Sequence, residues 1–131
     1  MPAIENTLYL TFDDGPHPEI TGFVLDQLAS RAGLAPDLAA ITDATQTAVV
    51  GFSMGAYGAL VFGGAGLAPT APKASFAPPD GLLAQHLAGS DTHSALVDPR
   101  VKAVVAFGPW GMNNALWNAD GLAQFTKPLM V

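Results

Sequence analysis

Cysteine is absent from this 131-residue sequence. That excludes disulfides, thiolate zinc centres and a cysteine nucleophile, and by itself fixes no compartment. Basic side chains are scarce: five Lys and Arg stand against eleven Asp and Glu, a formal net charge of −6. Phosphate backbones find little to hold them, so nucleic-acid binding is not expected. Charge of either sign reaches only 12% while half the residues are hydrophobic, too apolar a balance for a disordered chain. The opening Met-Pro-Ala-Ile-Glu has neither a basic start nor an apolar stretch, so no signal peptide is expected. The length suits one domain over 1–131, with room for a single core but short for a complete catalytic α/β enzyme.

The charge that is present is unevenly spread. Residues 1–43 hold seven acids and one base, Arg31, whereas no charge occurs between Asp43 and Lys73. That uncharged stretch raises the question of a membrane span, as does the Gly51/Gly55 spacing. Six glycines within 51–66 argue instead for a buried strand, a tight turn and a buried helix. Elsewhere the pattern predicts strands at Leu8–Phe12, Thr47–Phe52 and Val101–Phe107, and another starting at Pro128. It predicts helices over Glu19–Ser30, Ala56–Phe62 and Gly81–Leu87, a helical turn at Asp37–Ile41 and a long loop over 63–80. Unbroken β-branched runs alternating with helices imply an α/β fold, with three or four mostly parallel strands and helices on both faces.

The sharpest motif is Gly51-Phe52-Ser53-Met54-Gly55 between a predicted strand and a predicted helix. It matches the G-x-S-x-G turn that lifts a nucleophilic serine above a sheet. Small residues two before and two after the serine let strand and helix approach. The Met54 N–H then opens the helix and faces a developing oxyanion.

Around this motif, Val49–Gly58 resembles the α/β-hydrolase family, particularly its dienelactone-hydrolase-like and polyester-cleaving members. The resemblance continues through Pro79–Leu83, Asp98–Gly111 and Lys127–Val131, covering about residues 20–131. It implies that Ser53 is the nucleophile, that Met54 supplies an oxyanion amide and that a small ester or polyester is the substrate, with no cofactor. The family's acid follows the strand beginning here at Pro128 and its histidine comes later, so the stretch reads as a truncated core, weakly active or inactive as it stands. His86 and His93 read as surface or packing residues, Asp98 as a turn residue and Asp120 as a loop or helix-cap residue.

A second motif, Thr11-Phe12-Asp13-Asp14-Gly15-Pro16-His17-Pro18, resembles the first motif of polysaccharide deacetylases. That resemblance implies Asp13 as catalytic base and Asp14 as ligand to a divalent metal. The His-x-x-x-His pair that would complete the metal site is missing from the sequence. Two motifs of unrelated folds point to a junction near residues 16–21. If Thr7–Phe12 pairs beside the elbow strand, its end lies on the rim of Ser53, where His17 could act as a makeshift base and Gly15 offer a second oxyanion amide. Open sheet edges would also suit a homodimer.

Overall fold

The computed structural model describes Leu8–Phe12, Asp26, Asp37, Asp43 and residues 45–131. The fold is α/β. Strands β1 (Leu8–Phe12), β2 (Thr47–Phe52), β3 (Val101–Phe107) and β4 (Leu129–Met130) form one sheet in the order β1-β2-β3-β4. Every pairing is parallel. Leu8 stands opposite Thr47 and Phe12 opposite Gly51, so β1 occupies the position beside the elbow strand that the sequence suggested. Asp26 and Asp37 are helical; the remainder of the helices expected over Glu19–Ser30 and Asp37–Ile41, and the junction near 16–21, lie outside the described residues.

Helix α1 (Met54–Gly63) lies on one face of the sheet, and every residue after Met54 is buried. Gly55, Gly58 and Gly63 make it a poor helix by propensity. Burial holds it instead: Leu60 and Val61 are fully buried, each side chain contributing about 1.5–3 kcal/mol. Gly64 ends it at φ 114°, where the N–H of Ala65 reaches the Leu60 carbonyl (2.9 Å) and that of Gly64 the Val61 carbonyl (3.1 Å). This is the Schellman arrangement. Lys127 Nζ adds a bond to the Gly63 carbonyl at 2.8 Å, a cation at the negative end of the helix.

The two central strands differ from the expectation of full burial. In β2, Thr47, Val49 and Gly51 are buried beneath α1, while Ala48 and Val50 are half-buried and Phe52 is exposed. β3 follows the same division, with Val104 and Ala106 buried, Val105 half-buried and Phe107 exposed. An unbroken apolar run does not reveal which face is less covered.

Between β2 and β3 the chain departs further from the predicted pattern. The stretch 63–80 contains a 3-10 turn at Ala71–Lys73, and its first residues, Ala65–Ala68, are buried. The helix expected at Gly81–Leu87 is a 3-10 stretch, Pro79–His86, broken where Asp80 (φ 64°) and Gly81 (φ 67°) turn left-handed. A short helix α2 (Asp91–Leu96) was not anticipated, although Ser90 signals it by accepting the His93 N–H at 3.1 Å. Helix α3 (Ala119–Ala123) is capped by Asn118, whose Oδ1 accepts from Gly121 N at 2.9 Å, so Asp120 sits inside its first turn rather than at the cap. Among the described residues, no helix is long and apolar enough to cross a membrane.

Candidate active site at the Ser53 turn

Ser53 occupies the turn between β2 and α1 with φ 53° and ψ −112°, a combination that L-residues rarely adopt. Three backbone bonds pin it there. Its N–H donates to the Phe107 carbonyl at the end of β3 (3.0 Å), and its own carbonyl accepts from Tyr57 N (3.0 Å) and Trp110 N (3.0 Å). A Cβ on Gly51 would collide with the carbonyl carbon and oxygen of Gly55 and lie 2.5 Å from Ala56 N. Glycine at position 51 is therefore required by the contact between strand and helix.

The serine is half-buried at the C-terminal rim of the sheet, and the Met54 N–H beside it is a first-turn amide without a carbonyl partner inside the helix. Apolar side chains surround the rim: Phe52 is 69% exposed and Phe107, opposite it on β3, is 51% exposed. Just past Phe107, Gly108, Pro109, Met112 and Asn113 line an open depression of about 420 Å³. Such a surface suits an uncharged ligand better than a charged one.

Not all the predicted site residues are brought together. Asp13, Asp14, Gly15 and His17 lie outside the described residues, so the deacetylase motif and the Ser53–His17 contact have no geometry here. Among the described residues, no cluster of histidine and carboxylate side chains has the makings of a metal site. Asp98 precedes β3 at the opposite end of the strand from Phe107, about 20 Å from Ser53 at 3.3 Å per residue. It is a turn residue, as predicted, accepting from Arg100 N at 2.8 Å. The Arg100 guanidinium binds both of its oxygens and holds its carboxyl below the usual carboxylate range. Arg100 also reaches Asp26 at 2.9 Å.

His86 and His93 lie against α1. His93 is buried at 2% exposure, and its Nε2 has no hydrogen-bond partner. Burial lowers its pKa, against the pull of the Val61 and Ala65 carbonyls. His86 Nδ1 meets the Tyr57 hydroxyl at 2.5 Å, a pairing the sequence did not disclose because 29 residues separate the two. Burial, and then the neighbouring His93, lower the His86 pKa. Both histidines are thus held neutral in the fold. As pH falls through the ordinary histidine pKa of about 6.5, the unfolded chain takes up protons first, so stability drops by up to about 1.4 kcal/mol per pH unit for each group. Urea midpoints at pH 7.5 and pH 5.5 test this: the drop is smaller in His93→Leu than in the parent chain, and an equal drop would exclude His93 as a source.

No family model, curated protein or solved structure matches the chain.

Proposed function

We propose that the chain is a carboxylic-ester hydrolase of the α/β-hydrolase type, acting through an acyl-enzyme on Ser53. The observation that carries this reading is the backbone of Ser53 itself: φ 53° and ψ −112°, between a strand and a helix that only glycine at position 51 allows to meet. The conformation costs about 1–3 kcal/mol over an ordinary one, a cost that a nucleophilic role for the serine would account for. Ser53 Oγ attacks the ester carbonyl, and the carbonyl oxygen takes up negative charge next to the Met54 N–H at the positive end of α1. The C–O bond to the leaving alcohol breaks as that alcohol takes the serine proton. Water then cleaves the acyl-serine.

A serine hydroxyl needs a base to act near neutral pH. Among the described residues none makes a hydrogen bond with Ser53 Oγ, and His86 is committed to Tyr57. The base in this reading is His17, or a group on a partner chain that pairs with the open sheet edges. The exposed Phe52, Met54 and Phe107 around the serine favour a small or hydrophobic ester.

The test is intact-mass labelling with a fluorophosphonate. The parent chain acquires one adduct and Ser53→Ala none. A parent chain that stays unlabelled under conditions where a known serine esterase reacts fully would overturn the reading and leave a non-catalytic or partner-dependent chain.

A further inference from the structure

We propose that the depression past β3 is the pocket for one apolar arm of the ester, and that Met112 limits the size of that arm. The proposal rests on the ester-hydrolase reading for its chemistry, while binding to the depression can be measured without it. Gly108, Pro109, Met112 and Asn113 line the depression, whose volume is about 420 Å³. At about 30 Å³ for each water-sized group, it has room for roughly ten to fifteen heavy atoms, an aromatic ring or a medium alkyl chain. It starts close to the serine. Ser53 N–H donates to the Phe107 carbonyl at 3.0 Å, and the carbon of that carbonyl is bonded to Gly108 N. Ser53 N and Gly108 N therefore lie within about 5 Å of each other.

The loop that forms the depression is fixed to the serine turn. Trp110 N donates to the Ser53 carbonyl at 3.0 Å, and the Trp110 ring packs edge-on against Tyr57 and Phe76, each at 5.5 Å. Within the loop, Met112 N reaches the Pro109 carbonyl at 3.2 Å, while Asn114 N and Leu116 N both reach that of Gly111, at 3.1 Å and 3.3 Å. Gly111 has φ 84°, and the fully buried Leu116 side chain fills the space that a Cβ there would need. Ala115 closes the loop at φ 54°, a left-handed conformation that costs a residue other than glycine about 1–2 kcal/mol. A wall fixed in advance loses little conformational freedom when a ligand enters. Its chemistry selects the ligand. No charge occurs between Lys102 and Asp120 or between Asp43 and Lys73, the stretches that hold β3 with its loop and the Ser53 turn with α1. Met112, 38% exposed, offers a pliable apolar side chain, and Asn113 an amide that donates or accepts. A carboxylate or ammonium entering here would find no counter-charge on either stretch, whereas an uncharged alkyl or aryl group gains by burial.

The acyl and alcohol arms of an ester share this chemistry, and two series separate them: para-nitrophenyl acetate against the octanoate, and methyl acetate against octyl acetate. In the series whose long arm enters the depression, Met112→Trp lowers the ratio of kcat/KM for the long arm to that for the short arm about tenfold. Binding is read separately in the Ser53→Ala chain, which lacks the nucleophile, from the methyl signals of the four methionines by nuclear magnetic resonance. Millimolar methyl benzoate shifts the Met112 methyl and leaves that of Met130, on β4, in place, and sodium benzoate shifts neither. A Met112 methyl that methyl benzoate does not move, or a Met130 methyl that moves as far, would overturn the proposal. So would an active chain in which Met112→Trp changes neither ratio, a result that leaves the hydrolase reading standing. If the parent chain neither labels nor cleaves any ester, the hydrolase reading fails, and the methionine methyl signals still decide the depression.

Discussion

Replacing Gly51 with alanine is expected to cost about 3 kcal/mol or more, a large share of the stability of a domain of this size. The new methyl group would meet the carbonyl carbon and oxygen of Gly55 and the amide nitrogen of Ala56. All three are backbone atoms in the first turn of α1, so no side-chain rotation relieves the clash. The strand or the helix must withdraw. Helix α1 is buried on every residue after Met54, and withdrawing it uncovers Leu60 and Val61 together with their partners on β2 and β3. Gly89→Ala provides the comparison. Gly89, unlike Gly51, has a positive φ, 77°, and an added Cβ there meets nothing within 4 Å. Its cost is left-handed backbone strain alone, about 1–2 kcal/mol. Urea midpoints for the two variants therefore separate strain from collision. A Gly51→Ala chain no less stable than Gly89→Ala would mean that β2 and α1 do not approach as closely as the turn requires.

The same glycine shows what a sequence can disclose. Gly51, Ser53 and Gly55 announce a strand–turn–helix, whose close approach demands glycine at position 51, and β2, Ser53 and α1 follow in the fold. The strands β1 and β3 are legible for a related reason: short apolar runs ended by Asp-Asp-Gly-Pro or Gly-Pro have little choice but to stop. Side-chain partnerships set by tertiary packing are not legible. Nothing near Tyr57 in the chain foretells His86, and nothing near Phe52 foretells that its face of the sheet is less covered than that of Val49. The broken 3-10 stretch Pro79–His86 escapes prediction because Asp80 adopts a positive φ that favours glycine. Asp98 could be read as a turn residue, but only the fold places it at the far end of β3 from the serine. The placement of His17, on which a base within this chain depends, lies outside the described residues.

Ser53→Gly is expected to stabilise the fold while abolishing labelling, and Ser53→Ala to abolish labelling without that gain. The serine backbone, at φ 53° and ψ −112°, lies where glycine alone moves freely. Relief of such strain is worth about 1–3 kcal/mol, offset by about 0.4–1 kcal/mol for the greater freedom of glycine in the unfolded chain. The net gain is about 1 kcal/mol, or roughly 4 °C in melting temperature for a domain of this size. Alanine retains Cβ and with it the strain, so its melting temperature stays near that of the parent. The hydrogen bonds from Tyr57 N, Trp110 N and to Phe107 O involve only the backbone of residue 53 and survive in both variants. Any difference between the two thus isolates the conformation from the hydroxyl. If Ser53→Gly melts no higher than Ser53→Ala, the turn is not strained, and the conformational argument for a selected nucleophile fails even where the serine still labels. If it melts higher, stability has been given up at the one residue whose hydroxyl the proposed chemistry requires, which is where a stability–activity trade-off belongs.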